Sequence, residues 1–213
     1  MIILDIETSG LALNCGIWQI GAINISSQNY FLEEAKIDEE DSVEEGALKV
    51  TGKNEEQLRY PGKQTQKKMI INYLDWVGEQ REKLFFGQNV GWDITLIQNK
   101  TIKYGLHKEF LEIHGQRGND LHSLVQEKYF EIYGKYLLGK TGKSDFNLGK
   151  VSYFCGIPDE RINVRGSEVV KEGKIHNALD DCRLEGEILY RLKFGKNLFD
   201  EFKRFEIPGY LKK

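Results

Sequence analysis

The first apolar block is Ile2-Ile3-Leu4-Asp5-Ile6-Glu7, and its density of Ile and Leu predicts a short buried strand. Side chains on a strand alternate between faces. Ile2, Leu4 and Ile6 therefore share one face, and Ile3, Asp5 and Glu7 share the other. Residues 17–25 and 29–33 predict two further strands, joined as a hairpin through Ser26-Ser27-Gln28. A short helix is expected over residues 38–50. Met69, Ile70, Tyr73, Leu74 and Val77 recur at helical spacing within residues 65–77. Leu84-Phe85-Phe86-Gly87 reads as a fourth strand. Ile94, Ile97 and Tyr104 lie along one side of a helix over residues 91–104. Residues 110–113 read as a fifth strand. Helices are expected over residues 121–138 and 146–155, with a glycine- and lysine-rich loop at 139–143. Residues 158–175 show no period and read as a long surface loop. The last strong helix spans residues 177–194, and a short one follows. No repeat or low-complexity linker interrupts the pattern, so residues 1–213 read as one α/β domain.

Length and composition agree with a globular domain: 213 residues, 40% of them hydrophobic. No apolar run approaches the ~18 residues of a membrane span, so no membrane association is expected. With a strand beginning at residue 2 and no basic leader before it, a secretory signal is not expected either. Three widely spaced cysteines, Cys15, Cys155 and Cys182, form neither a zinc pattern nor a disulfide framework. They favour a reducing, cytoplasmic compartment. The net charge of −3 excludes a general cationic coat for nucleic acid. Locally, residues 135–165 interleave Lys140, Lys143, Lys150 and Arg161 with Tyr136, Phe146 and Tyr153. That stretch reads equally as a phosphate-binding face or as a solvated surface.

Asp5 and Glu7 place two carboxylates side by side at the end of a central strand with no basic residue nearby. Such a pair needs a cation or open water, and hard oxygen ligands suit Mg²⁺ or Mn²⁺. Further ligands have to come from elsewhere. Asp93 lies one turn before Ile97, which allows it to face inward, although charge at a helix start is also favourable by itself. In the last helix, Asn177 can cap, and Ala178, Cys182, Leu189 and Leu192 mark the buried stripe. Asp181 falls beside that stripe, while Asp180 points roughly 200° away from Ala178. Asp181 is the candidate ligand of the two. His176 stands just ahead of the helix, at a fixed offset from Asp181.

Taken together, Asp5-Ile6-Glu7-Thr8-Ser9-Gly10-Leu11, residues 89–93 and residues 176–182 resemble the three motifs of the DEDDh family of 3′→5′ exonucleases. That family includes the proofreading subunits of bacterial replicative polymerases, ribonuclease T and oligoribonuclease. Gln88 stands where relatives often have His, and Trp92 where they often have Phe. The resemblance implies a ribonuclease-H-like fold, with a five-stranded mixed sheet flanked by helices. It implies that Asp5, Glu7, Asp93 and Asp181 hold two divalent cations, Mg²⁺ or Mn²⁺, and that His176 acts as general base. Thr8, Gly10, Leu11 and Asn89 become the implied substrate contacts. The implied substrate is the 3′ end of single-stranded DNA or RNA, and the product a nucleoside 5′-monophosphate. A homodimer and a polymerase partner are further implications. An inactive nucleic-acid-binding module is the alternative, but it predicts loss of a ligand or of His176, and none is lost.

Overall fold

The computed structural model describes residues 1–213. Its five-stranded sheet is built from β1 (Ile2–Thr8), β2 (Ile17–Asn24), β3 (Tyr30–Glu34), β4 (Phe85–Gly87) and β5 (Gly118–Asp120). Their spatial order is β3-β2-β1-β4-β5. The first three strands are antiparallel, whereas β4 and β5 run parallel to β1. The sheet is therefore mixed, with β1 at its centre.

Helices cover both faces. In chain order they are α1 (Glu45–Thr51), α2 (Glu55–Leu58), α3 (Gln66–Glu79), α4 (Val90–Tyr104), α5 (His107–Ile113), α6 (Leu121–Tyr133), α7 (Leu148–Phe154) and α8 (Ala178–Phe194). The alternation in β1 decides which helix meets which face. Ile2, Leu4 and Ile6 pack with Met69, Ile70 and Tyr73 of α3 and Ile94 and Ile97 of α4. On the opposite face, Ile3 packs with Cys182 and Leu189 of α8. Asp5 and Glu7 follow Ile3 on that second face, so they are turned towards α8.

The start of α8 sits unusually close to the sheet. A Cβ on Gly21 would lie 2.5 Å from the Ala178 carbonyl carbon, so only glycine admits the helix there. Gln19 of β2 accepts a hydrogen bond from the Ala178 amide at 2.8 Å. The Asn177 side chain caps the Leu179 and Asp180 amides. Gly21 and Gln19 pair across the ladder with Asp5 and Glu7, which fixes the helix start against the two acids.

Three expectations need correction. Residues 110–113 are not a strand but the end of α5, where Phe110 is buried between α4 and the sheet. The fifth strand is Gly118–Asp120, which has no apolar residue and so no hydrophobic signature. The helix expected over residues 38–50 exists only as α1. Before it, the Asp41 carboxylate takes the Asp38 amide at 3.0 Å, Gln66 Nε2 at 2.6 Å and Lys100 Nζ at 2.5 Å, which holds that segment in a turn. Residues 158–175 contain a hairpin of β6 (Asn163–Arg165) and β7 (Glu168–Lys171).

Candidate active site

Three elements bring the four acids together. β1 supplies Asp5 and Glu7, the first turn of α4 supplies Asp93, and the first turn of α8 supplies Asp181. The turn into α4 depends on Asn89, which adopts a left-handed conformation (φ 59°) and donates its amide to Asp120 at 2.9 Å. Glu7, Asp93 and Asp181 are only 7%, 5% and 4% exposed. Asp180, in contrast, is exposed. The inward and outward assignments made from helical geometry thus hold.

The sequence reading missed one acid. Glu185 of α8 is 1% exposed and joins the same cluster, one turn beyond Asp181. Its signal was the i, i+4 offset from Asp181, which puts both on one side of the helix.

Buried carboxylates this close repel one another. Burial, then Glu185, Asp181, Glu7 and Asp93, push the Asp5 carboxyl well above the usual range. Burial and Asp181 push Glu7 up to about 8, opposed by Arg161. Asp93 is raised mainly by burial, although its own amide and that of Ile6 oppose the shift. Glu185 is raised by burial, then by Asp181 and Asp93. A cluster in this condition has the chemistry of a cation site.

The donor set fits a divalent metal. One ligand atom each from Glu7, His176 and Asp181 lie within 4.8 Å of one another. All the other nearby ligands are carboxylate oxygens, the set that suits Mg²⁺ or Mn²⁺. His176 adds a second indication. Its Nε2 lies 3.1 Å from the Ile162 carbonyl oxygen, which can only accept, so Nε2 carries the hydrogen. In the neutral ring, Nδ1 is then a bare acceptor, 3.5 Å from Asp181 Oδ2. Two acceptors facing each other call for a proton or a cation between them, and Arg161 supplies a donor only to the Asp181 side.

Arg161 is the one Lys or Arg paired with a site carboxylate. It reaches Asp181 at 3.0 Å and Asp159 at 2.9 Å. Lys150 is paired with Asp145 at 2.6 Å. Arg161 is thus turned into the site, whereas Lys150 and its partner lie at the exposed surface.

A cleft of about 580 Å³ opens beside the acids, lined by Glu7, Thr8, Gly10, Leu11, Trp92 and Val164 among others. Its volume lies in the ordinary range for small-molecule sites, roughly 300–1,000 Å³. The Thr8 hydroxyl donates to the Gly10 carbonyl at 2.7 Å, which shapes the floor. Leu11 is 78% exposed, with its side chain free at the rim. Its amide is not free, because Glu44 accepts the Leu11 and Ala12 amides at 2.9 and 3.3 Å. Any backbone donation to a ligand by Leu11 would have to displace Glu44. The far wall is α1 and the β6–β7 hairpin, which meet where a Cβ on Gly46 would fall 2.2 Å from the Gly166 carbonyl oxygen.

No family model matches the sequence, and no curated protein matches it. Solved structures do match. Product-bound exonuclease I superposes with a TM-score of 0.65 at 15% identity, over 88% of this chain and 41% of that one. The shared fold is ribonuclease-H-like. E. coli exonuclease I in complex with a dT13 oligonucleotide gives a TM-score of 0.65 at 17% identity, over 89% of this chain and 40% of the other. Exonuclease I from Methylocaldum szegediense gives 0.63 at 14% identity, covering 92% and 41%. The chain spans about two-fifths of the length of these exonuclease I chains.

Proposed function

We propose that this protein is a metal-dependent 3′→5′ exonuclease that releases nucleoside 5′-monophosphates from single-stranded nucleic acid. The observation that carries the reading is the convergence of Asp5, Glu7, Asp93 and Asp181, all on packed elements, with His176 beside a nucleotide-sized cleft. Asp5, Glu7, Asp93 and Asp181 would hold two divalent cations, Mg²⁺ or Mn²⁺. When bound, such ions activate a water for attack on phosphorus and stabilise the leaving oxygen. His176 would accept the proton of that water on Nδ1, with Nε2 held by Ile162. Thr8, Gly10, Leu11 and Trp92 would enclose the terminal nucleotide, with Leu11 and Trp92 against its base, while Asn89, exposed at the start of α4 and outside this lining, would contact the strand beyond it. The 3′→5′ direction rests on the motif resemblance.

Single strands are favoured on physical grounds. A chain of net charge −3 cannot hold long duplex by neutralising many phosphates. A cleft of this size suits an unstacked end, and a paired end must first melt at a cost of a few kcal/mol. Exonuclease I structures bound to dT13 and dA16 make DNA the first substrate to test. No helix here is long and apolar enough to cross a membrane.

The test compares 5′-labelled single-stranded DNA, single-stranded RNA and blunt duplex with Mg²⁺ or Mn²⁺. A ladder shortening one nucleotide at a time, fastest on a single strand, is expected. Immediate release of labelled mononucleotide, or cutting of a closed circle, would refute the proposal. Adding a polymerase to the same assay detects a proofreading role.

A further inference from the structure

Glu185 is not one of the residues matched by the exonuclease motifs, yet it lies inside the acidic cluster. Its Oε1 accepts the Gln88 amide at 3.2 Å. Its Oε2 is buried and has no hydrogen-bond partner. Gln88 Oε1, on the residue whose amide Glu185 accepts, is a second buried oxygen without a donor. Among the charged neighbours of Asp5, Glu185 acts most strongly. An unpaired carboxylate oxygen in a dry interior is costly and demands a partner. No donor reaches it, and among charged groups Asp181 and Asp93 act on it most strongly, with Arg161 opposing them less. A hydrated cation held by those acids supplies both the positive charge and the missing donors, because Mg²⁺ keeps several of its waters when bound by protein.

We propose that Glu185 is a fifth carboxylate of the metal centre, a positioning residue whose Oε2 faces the hydration shell of the cation held by Asp5 and Asp181. The proposal rests on the nuclease reading. The site reads four acids through the motif and a fifth through the next turn of the same helix. Asp181 and Glu185 stack on one side of α8, and Cys182, between them, contacts the Ile3 and Gly21 carbonyls. The helix therefore presents both acids to β1 as a rigid unit. Partners of this kind around metal ligands typically contribute 10–100-fold to metal affinity.

Calorimetric titration of the full chain with Mn²⁺ tests this, using the wild type, Glu185→Gln and Asp180→Asn. The Gln variant keeps the shape and the acceptor for the Gln88 amide but loses the second oxygen. It should bind Mn²⁺ 10–100-fold more weakly, while Asp180→Asn, which removes a charge from the exposed side of the same turn, should stay within about two-fold. In chelator, Glu185→Gln should melt at or above the wild-type temperature, because it relieves crowding among buried acids and keeps the acceptor for the Gln88 amide, and Glu185→Met, which loses that acceptor, should still fold. Unchanged Mn²⁺ affinity in Glu185→Gln would overturn the proposal. So would failure of both variants to fold in chelator, which would make the carboxylate a structural group. A wild type that binds no Mn²⁺ would overturn the nuclease reading as well, an outcome distinct from binding that survives Glu185→Gln.

Discussion

At the scale of single residues, neighbours in sequence differ sharply in consequence. Asp181 is buried and holds both Arg161 and His176 within reach, whereas Asp180 is exposed. Asp181→Asn should abolish hydrolysis and Asp180→Asn should retain most of it, as measured by single-turnover assays on labelled oligonucleotide. His176→Ala should lower turnover by about 10²–10⁴-fold and leave substrate affinity within a few-fold, since a base acts on rate. A loss seen only in affinity would remove His176 from that role. Another histidine, away from the site, contributes to acid stability. His114 is buried, stacked 3.9 Å from the Phe85 ring and hydrogen-bonded to the Tyr73 hydroxyl at 2.9 Å. Burial depresses it to about 4. Its contribution is fully present above about pH 6.5 and is lost as pH falls towards 4, because only the unfolded chain takes up the proton there. Melting followed from pH 7 to 4 should show the wild type losing about 3 kcal/mol relative to His114→Phe, a difference that separates this histidine from the carboxyls titrating in the same window. The site acids were legible in the sequence because strand and helix periods fix where their side chains point. Glu185 was not, because a glutamate on a charge-rich helix has the composition of a solvated face.

At the scale of elements, α8 anchors the far end of the chain as well as the site. Arg191 is fully buried and donates to Glu187 Oε1, the Cys155 carbonyl, Asn197 Oδ1 and the Phe202 and Phe205 carbonyls, all within 3.0 Å. Glu187 Oε2 in turn accepts the Leu198 and Phe199 amides. Arg191→Met strands Glu187 without a counter-charge and should cost about 3–5 kcal/mol in urea unfolding. A loss below 1 kcal/mol would mean that the tail is held by its apolar contacts alone. The long elements were read from periodicity because each buries an apolar stripe. The short ones escaped for the opposite reason. β5 is Gly-Asn-Asp, and the β6–β7 hairpin offers Val164, Val169 and Val170 among charges, too few to set a period.

At the scale of the molecule, the acids sit on elements whose cores are complete without them. Exhaustive chelation should therefore abolish hydrolysis while lowering the melting temperature far less. Returning Mg²⁺ to about 100 times its dissociation constant should restore roughly 2.7 kcal/mol of stability. Hydrolysis that persists after chelation would exclude a metal mechanism. The order of the sheet was not legible beyond the resemblance, because nothing in the spacing of strands says that β1 stands between β2 and β4.

The contact between β1 and α8 also sets a timetable. Asp5 and Glu7 belong to the first strand, and the residues that complete their surroundings arrive more than 160 positions later, with Gln19 closing the joint at Ala178. Contacts so distant in sequence form slowly and late. A growing chain that has made its hairpin and its first helices still lacks His176, Asp181, Glu185 and the β6–β7 side of the cleft. The acidic site is thus complete only once α8 has been made and laid on the sheet, so under the proposed function a partly made copy would leave the nucleic acid around it uncut.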